Sequence, residues 1–245
     1  MSQDFVTECD GTFLRITINH PEEGNAFSDD MAAELSDLLD GAESRARGVV
    51  LRGAGNDFCV GRSPRGRHKP NSSEALDMRR ANTVVFDCYD AFRRTKLPVI
   101  SVVTGKALGF GCALAALGDI TIASEEAQFQ LPEFAHNIMP TMAMSSLLGK
   151  VTGKSMMYIV YSTGMLDARR AREIGLVNEV VAKGALGKAV DDICARIAAA
   201  PLPAVLAVKE FATHGPAMGT AGAIEYARSL HATVNSLSEM KRAAK

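Results

Sequence analysis

Glycines divide the most apolar region of this chain, residues 97–123, into pieces that are too short to cross a membrane. Val99–Val103 is an apolar run rich in β-branched residues and is typical of a buried strand. Gly105 and Lys106 interrupt the pattern, and an apolar helix opens after Gly109. Because a membrane helix needs about 20 consecutive apolar residues, the region instead predicts a strand, a glycine-rich turn and a helix.

Glycines also mark a place where backbone N–H groups can bind an anion. Gly109 and Gly111 let the backbone approach a ligand closely, and the first N–H groups of a helix have no partner inside the helix. A second strand end, in residues 48–63, opens into glycines that include Gly61. Such a turn is often an ordinary tight connection, but two of them side by side would present two N–H groups to one oxygen atom.

Short β-type runs alternate with helical patterns along the chain, which predicts an α/β fold. Leu14–Asn19 alternates like a strand with one buried face, and Val49–Leu51 is typical of a more fully buried strand. Between them, Ser28–Ala46 has apolar residues at helical spacing, and Ser28 or Asp29 is suited to cap this helix.

A polar loop and a helical C-terminal third complete the chain. Residues 64–73 are rich in Pro, Gly, Arg and Ser, so we expect a mobile loop there and a helix that starts near residue 73. Farther along, Asp167 is suited to cap a helix over residues 168–174, which Gly175 ends. The periodicity then predicts further helices, which are Leu186–Ala199, Pro203–Thr213 and the last helices within 219–245.

The composition limits the class of protein and its compartment. The chain has 245 residues, of which 47% are hydrophobic, so it can bury a large core, and its net charge of -1 does not favour a nucleic-acid partner. The five cysteines are scattered, with no Cys-x-x-Cys pair and no histidine cluster, so we expect reduced thiols, a cytoplasmic location and no metal site. The polar N-terminus lacks a secretory pattern, so we expect no export and no membrane partner.

Motifs in a common order resemble those of the crotonase (enoyl-CoA hydratase/isomerase) superfamily, and they span about residues 5–212. The matching segments are Asn19–Pro21 with Asn25–Ala26, Phe58–Arg62, Gly105–Gly111, Asp119–Ser124, Phe129–Glu133, Thr163–Ala168 and Ala171–Asn178. The resemblance implies a crotonase-like (ClpP/crotonase) α/β spiral of ββα units over residues 1–190. It also implies a helical C-terminal oligomerisation region over residues 191–245 and assembly as a homotrimer or hexamer.

The same resemblance implies an acyl-CoA thioester substrate. The backbone N–H groups of Arg62 and Phe110 would form the oxyanion hole, and Gly61, Gly109 and Gly111 would contribute to the coenzyme A site. Coenzyme A enters as part of the substrate, so no permanently bound cofactor is expected. Phe110 stands where the family usually has a third glycine, and its ring either narrows the acyl pocket or packs under the turn.

Glu133 is the residue that the resemblance implies as the catalytic acid and base. Family members that hydrate a double bond with two carboxylates carry one at the position of Ala113 and one at the position of Glu133. Because this chain keeps only Glu133, the chemistry most easily written is proton transfer between two carbons of an enoyl thioester. This is double-bond isomerisation, which needs no water. Apolar residues near Glu133 in the sequence predict that its pKa is raised.

Basic residues follow the first oxyanion segment, in a neighbourhood that the family places close to the adenine and phosphates of coenzyme A. Arg65, Arg67 and Lys69 are therefore candidates to bind this anionic end, together with Arg62 and His68. A solvated loop is an equally good interpretation of these residues.

Five further residues are weaker candidates, and Thr141, Ser145 and Ser146 are the weakest of them. Lys209, on a C-terminal helix, is another candidate for the coenzyme A phosphates. His136 follows Glu133 at a spacing that places both on one helical face, where it would be a second acid or base, although a lone histidine is more often structural. Some relatives carry an aspartate at the position of Thr141. The absence of that aspartate from this chain argues against nucleophilic or dehalogenase-like chemistry.

The residues leave several functions open. A hydratase that uses Glu133 and ordered water is one alternative, and hydrolases, decarboxylases and racemases also occur on this scaffold. A catalytically inert acyl-CoA-binding or RNA-associated oligomer is an alternative of another class, although the sequence has no basic helical stripe that favours RNA. The acyl group is also open, because segments distant in sequence form the walls of its pocket.

Overall fold

The apolar runs become strands of one sheet in the computed structural model, which describes residues 4–242. Within these residues the sheet has six strands, and neighbours pair in parallel except for the first two, which are antiparallel. In sheet order they are β1 (Phe5–Cys9), β2 (Phe13–Ile18), β3 (Gly48–Gly53), β4 (Val99–Val103), β6 (Ile120–Ser124) and β9 (Glu179–Val181). The predicted α/β class is confirmed.

The strands that were predicted from hydrophobic patterns are confirmed. Every residue of β4 is buried, as are residues 49–51 of β3, because these central strands are covered on both faces. β2 alternates between buried and half-buried residues, as its pattern predicted. β1 was not predicted, because only Phe5 of this edge strand is buried and the other residues show no alternation.

A second, smaller sheet carries the candidate site. Within the described residues its strands, in sheet order, are β5 (Lys106–Leu108), β7 (Gln128–Gln130) and β8 (Leu166–Asp167). β4 leads into β5 and then into helix α3 (Phe110–Leu117), while β6 leads into β7. From β4 to β7, successive strands therefore alternate between the two sheets, which is the ββα pattern expected of the spiral.

The first helix, α1 (Asp29–Asp40), begins as predicted but ends early. Ser28 caps it, because the Ser28 hydroxyl accepts a hydrogen bond from the backbone N–H of Met31 at 3.1 Å. The prediction that the helix continues to Ala46 is wrong. Gly41 ends the helix and a short 3-10 turn follows, in keeping with the low helix propensity of glycine.

The C-terminal third is helical, as predicted. Asp167 caps α6 (Ala168–Glu173), since its Oδ1 accepts a hydrogen bond from the N–H of Arg170 at 2.7 Å. Helix α7 (Leu186–Ala199) has the predicted bounds. The remaining helices of residues 4–242 are α2 (Ala75–Arg94), α4 (Thr141–Leu147), α5 (Gly153–Ser162), α8 (Leu202–His214), α9 (Gly219–Ser236) and α10 (Ser238–Arg242). Residues 243–245, at the end of the predicted last helices, lie outside the described residues.

Helix α7 covers one face of the large sheet. Its buried residues Leu186, Val190 and Cys194 form a cluster with strand residues such as Val50 and Ile100. The division of the chain after residue 190 stays a prediction, and in the structure it falls inside this helix. Among residues 4–242, no helix is long and apolar enough to cross a membrane.

Candidate active site

Two backbone segments run side by side and form the floor of the site. Residues 59–61 lie parallel to β5, with Cys59 paired to Ala107. The N–H of Cys59 donates to the carbonyl of Lys106 at 3.0 Å, and the N–H of Leu108 donates to the carbonyl of Cys59 at 2.9 Å. This register, which the sequence does not reveal, brings Arg62 and Phe110 to the same end of the pair.

Arg62 and Phe110 lie where this pairing stops. In the part of the chain that the structure describes, neither backbone N–H has a hydrogen-bond partner. Phe110 is the first residue of α3, where N–H groups have no partner within the helix. The arrangement is therefore suited to stabilise negative charge on an oxygen atom.

Glycine is required where α3 meets the first segment. A Cβ atom on Gly111 would lie 2.0 Å from the carbonyl oxygen of Cys59, which no side chain tolerates. Gly109 has a φ angle of 51°, in the left-handed region that glycine adopts readily. Gly111 therefore lets the two segments approach closely, while Gly109 allows the sharp turn into α3. The expectation that both glycines let the backbone approach a ligand stays a prediction.

The opposite edge of the first segment pairs with Phe27. The N–H of Phe27 donates to the carbonyl of Gly61 at 2.9 Å, and the N–H of Ser63 donates to the carbonyl of Phe27 at 2.7 Å. In such a parallel bridge the intervening residue, Arg62, directs its own N–H away from Phe27. The Arg62 N–H therefore points to the edge on which β5 and α3 lie.

Glu133 is held against this floor by the small sheet. The N–H of Gly109 donates to the carbonyl of Gln130 at 2.8 Å, and Glu133 begins a short 3-10 turn just beyond β7. A Cβ atom on Gly109 would lie only 3.0 Å from Glu133 Oε1, so the carboxylate touches the backbone of the turn. Its other oxygen, Oε2, is buried and has no hydrogen-bond partner among the described residues.

Burial raises the pKa of Glu133 above its ordinary value, because the apolar surroundings disfavour the charged form. A hydrogen bond from its own backbone N–H and the nearby charge of His136 oppose this shift. His136 is exposed at the end of the same 3-10 turn. Glu133 and His136 therefore share one turn, in which the carboxyl group is half-buried and the imidazole is exposed to solvent.

The ring of Phe110 packs in the core rather than across the site. It lies 4.9 Å from the ring of Phe27 and 5.5 Å from the ring of Tyr89, measured between centroids. Phe110 is almost fully buried. Of the two alternatives for this residue, the structure supports packing under the turn.

Position 113 carries no polar group, and two serine hydroxyl groups of α4 bind carbonyls of their own helix. Ala113 is fully buried. The hydroxyl groups of Ser145 and Ser146 donate to the carbonyls of Met142 and Ala143, respectively. The expectation that Glu133 acts without a second carboxylate at position 113 stays a prediction.

The basic residues after the first segment have different surroundings. The Arg62 guanidinium donates to Asp29 Oδ1 at 2.5 Å and to Asn82 Oδ1 at 3.2 Å. Arg67 donates to the backbone carbonyls of Ser63 and Arg62. The guanidinium groups of Arg62 and Arg67 therefore hold the loop itself together.

Arg65, Arg67, His68 and Lys69 are all exposed, although the Arg67 guanidinium is bound to the loop backbone. The Arg65 side chain is 83% exposed and contacts Glu23 at 3.0 Å, and Lys69 is exposed. His68 is exposed as well and lies 3.9 Å from Asp29. Arg65 and Lys69 stay candidates for the anionic end of a substrate.

The suggestion that Lys209 contacts coenzyme A is wrong. Lys209 is only 6% exposed, and its ammonium group donates to the carbonyls of Phe92 and Leu97 and to Asp119 Oδ2. Its donors thus join α2 and the loop after it to the residue that precedes β6, which is a structural role.

The sequence analysis missed Asp29 and Asn82 as partners of Arg62. Asp29 attracted attention only as a possible helix cap, and nothing in the spacing of Asn82 linked it to residue 62. Within the described residues, no group of histidine, cysteine, aspartate and glutamate side chains is arranged to hold a metal ion.

Comparisons with known proteins cover nearly the whole chain. A model of the enoyl-CoA hydratase/isomerase family matches residues 8–244. A Rhizobium meliloti protein described as a probable enoyl-CoA hydratase is 30% identical over 243 residues, which cover 98% of this chain and 92% of that protein. The 1,2-epoxyphenylacetyl-CoA isomerase of Escherichia coli is 31% identical over 195 residues, covering 77% of this chain and 73% of its own length. A Thermobifida fusca crystal structure with bound acetoacetyl-CoA has a TM-score of 0.84 at 26% identity and covers 96% of each chain.

Proposed function

The chain belongs to the enoyl-CoA hydratase/isomerase family, and we propose that it isomerises the double bond of an enoyl-CoA thioester with Glu133 as its single acid and base. One observation carries this proposal. A half-buried carboxylate with an unpartnered oxygen lies against Gly109, and Ala113 leaves no second carboxylate beside it. A single base next to an oxyanion hole is sufficient for proton transfer between carbons.

The proposed reaction begins with a hydrogen-bonded thioester. Its carbonyl oxygen accepts hydrogen bonds from the N–H groups of Arg62 and Phe110, which become stronger as negative charge develops. Glu133 removes a proton from the carbon next to the carbonyl of a 3-enoyl thioester. The resulting dienolate accepts the same proton from Glu133 at the far carbon of the former double bond, which yields the 2-enoyl thioester and restores the carboxylate.

A hydratase is the second candidate, because the Rhizobium meliloti relative carries that description. In that reaction Glu133 would activate a water molecule that adds to the 2-enoyl thioester. Without a carboxylate at position 113, one group would have to position the water, remove its proton and protonate the substrate. Isomerisation, in contrast, needs only groups that this chain has, which are the Glu133 carboxylate and the N–H groups of Arg62 and Phe110.

The experiment that tests the proposal incubates a 3-enoyl-CoA and, separately, a 2-enoyl-CoA with the protein in deuterium oxide and follows both by NMR. A shifted double bond, or deuterium uptake without a hydroxyl product, would support the isomerase. A 3-hydroxyacyl-CoA product would establish the hydratase instead. If the protein binds both compounds and changes neither, it is an inert acyl-CoA-binding protein or acts on another acyl group.

The matched variant for this experiment is Glu133→Gln, which keeps the size and shape of the side chain. An amide cannot carry the proton, so turnover and deuterium uptake should be lost while ligand binding is retained. Full turnover by this variant would remove Glu133 from the mechanism.

We further propose that the chain acts on a coenzyme A thioester in the cytoplasm as a homotrimer or hexamer. The relative with bound acetoacetyl-CoA supports the substrate class. The cysteines of the described residues are all free thiols, which supports a reducing compartment. The exposed C-terminal helix α9 supports assembly.

A further inference from the structure

We infer that Asp29 is a positioning residue for the oxyanion hole, which acts by fixing Arg62 so that its backbone N–H faces the substrate carbonyl. The inference rests on the oxyanion hole of the proposed function but not on the reaction that follows. It concerns the side chain of Arg62, which takes no part in catalysis itself.

Asp29 has a fully buried carboxylate whose two oxygens accept hydrogen bonds from different residues. The Asp29 side chain is 0% exposed and that of Arg62 is 16% exposed. Oδ1 accepts the 2.5 Å hydrogen bond from Arg62, and Oδ2 accepts a hydrogen bond of 2.6 Å from the backbone N–H of His68. The backbone N–H of Asp29 donates to the carbonyl of Gly66 at 3.1 Å. Asp29 thus binds both ends of residues 62–68.

The backbone of Phe27, close to Asp29, forms hydrogen bonds on both sides of Arg62. Phe27 bonds to Gly61 and Ser63, on either side of Arg62, and Asp29 follows Phe27 at the start of helix α1. The bridge at Phe27 fixes the direction of the chain at Arg62, and the ion pair at Asp29 fixes its side chain. Because one short segment holds Arg62 at both points, the peptide unit has little freedom to rotate.

Helix α2 also contacts both residues of the oxyanion hole. Arg62 also donates to Asn82 on α2 at 3.2 Å, and Tyr89 on the same helix stacks on the ring of Phe110. The residues that supply the hole's N–H groups are therefore both attached to α2. We expect this arrangement to keep the separation of the two N–H groups constant.

The ion pair is poorly explained by stability alone. Arg62 Nε is buried and has no hydrogen-bond partner among the described residues. Burying two charges costs solvation free energy that such a pair recovers only when its geometry is excellent and its remaining donors are satisfied. A function in positioning accounts for retaining this buried pair beside the site.

The test measures the hole directly, by infrared spectroscopy of bound butanoyl-CoA that carries an isotope-labelled thioester carbonyl. Hydrogen bonds to the carbonyl oxygen lower its stretching frequency. Butanoyl-CoA has no double bond, so this measurement does not depend on which reaction the protein catalyses. If the isomerase assignment failed, the infrared result would still decide the role of Asp29.

Asp29→Asn is the main variant and Asp40→Asn is its matched control. Asp40 also lies on α1 and forms an ion pair with an arginine of α2, Arg94, but at the other end of both helices. We expect Asp29→Asn to return the carbonyl frequency towards that of free butanoyl-CoA, with little change in its dissociation constant. For a substrate that turns over, kcat should fall by roughly 10- to 100-fold. Asp40→Asn should change neither quantity.

Two further variants keep the test decisive if Asp29→Asn does not fold. The double variant Asp29→Asn with Arg62→Met leaves no buried charge without its partner, and such replacements are often tolerated. It should show the same loss of the carbonyl shift. Arg62→Lys keeps a positive charge beside Asp29 but lacks the planar guanidinium group. This variant should keep part of the carbonyl frequency shift that the wild-type protein shows.

A folded Asp29→Asn or double variant with an unchanged carbonyl frequency would overturn the inference. A variant in which only the dissociation constant rises would overturn it as well, because Asp29 would then merely anchor the loop. If the wild-type protein binds butanoyl-CoA without any carbonyl shift, no oxyanion hole is present and the inference fails.

Discussion

Glu133 illustrates how the surroundings of one side chain set its chemistry. Glutamate after proline is an unremarkable sequence feature, and only its place beside the backbone of Gly109 makes it a candidate base. Burial raises its pKa, while His136 lowers it. The two effects have opposite signs, so they can be separated by substitution.

Substitution of His136 by Ala should move the pH dependence of turnover to higher pH. Glu133 accepts a proton only when it is deprotonated, so kcat/KM should fall as the pH decreases through its pKa. Without His136 the pKa of Glu133 should rise further, and the decline should begin at a higher pH. His214→Ala, at the exposed end of α8, is the control. Coincident profiles for the wild-type and His136→Ala proteins would show that His136 does not act on Glu133.

Arg65 is an exposed cation for which the structure still permits a role in binding. Its pair with Glu23 is solvent-exposed, and such pairs are weak. We expect Arg65→Ala to raise the dissociation constant of an acyl-CoA about fivefold at low salt, which corresponds to about 1 kcal/mol. Titration calorimetry at low and high salt measures this effect, which should shrink at high salt.

Lys188→Ala is the control for Arg65, because Lys188 is an exposed lysine on α7 whose partner is Asp192. Equal affinities and equal salt dependence in the two variants would mean that the Arg65 loop does not contact the phosphates of coenzyme A.

Among single residues, the family resemblance pointed to Arg62 and Phe110, whose proposed roles use only their backbone N–H groups. Arg62 and Phe110 follow glycines at the ends of apolar runs, and such local patterns are visible in sequence. Lys209 was misassigned because the carbonyl groups that bind it belong to distant segments. Asp29 was missed for the same reason, since its partner Arg62 is brought to it only by folding.

The position of helix α3 depends on one close contact with the segment of residues 59–61. Its second residue, Gly111, lies against the carbonyl of Cys59, with no room for a methyl group. Gly111→Ala should therefore push α3 away from residues 59–61. We expect a loss of about 1–3 kcal/mol in the free energy of unfolding, measured with urea, and a large loss of turnover because the N–H of Phe110 moves as well.

Gly187→Ala separates this contact from the general effect of replacing glycine in a helix. Gly187 lies in α7, and a Cβ atom there would meet nothing within 4 Å. This variant should be as stable as the wild-type protein or slightly more so. Equal stability of the Gly111→Ala and Gly187→Ala variants would contradict the contact at Cys59.

The elements were predicted where a local signal marks them. Ser28 and Asp167 cap their helices as expected, because the capping hydrogen bond spans only a few residues. The end of α1 at Asp40 was misjudged, since the apolar spacing continues past Gly41. The three-residue strands β5 and β7 carry no periodicity of their own, and they are defined by their pairing with each other and with β8 and Cys59.

For the whole molecule, helix α9 is the part that a single chain leaves uncovered. None of its residues is buried, and it contacts α8, α10 and the turn before it. Ile224 is 53% exposed on this helix. Because most helical stability in proteins comes from the packing of an apolar face, we expect α9 to be covered by another copy of the chain.

Ile224→Glu should therefore weaken assembly. Sedimentation velocity over a range of concentrations should show a trimer or hexamer for the wild-type protein and smaller species for this variant. Arg228→Gln, which changes an exposed residue paired with Glu225 on the same helix, should assemble normally. A wild-type protein that stays monomeric at every concentration would contradict the expected oligomer.

The unpartnered N–H groups of Arg62 and Phe110 also have a consequence for hydrogen exchange. Neighbouring amides are bonded within the protein, as at Ser63 and Gly109, and should exchange slowly with solvent. In the free protein, the amides of Arg62 and Phe110 should exchange fast between these slow neighbours. A bound thioester would protect both at once, so site-resolved exchange would report occupancy of the hole for any acyl group, including those that do not react.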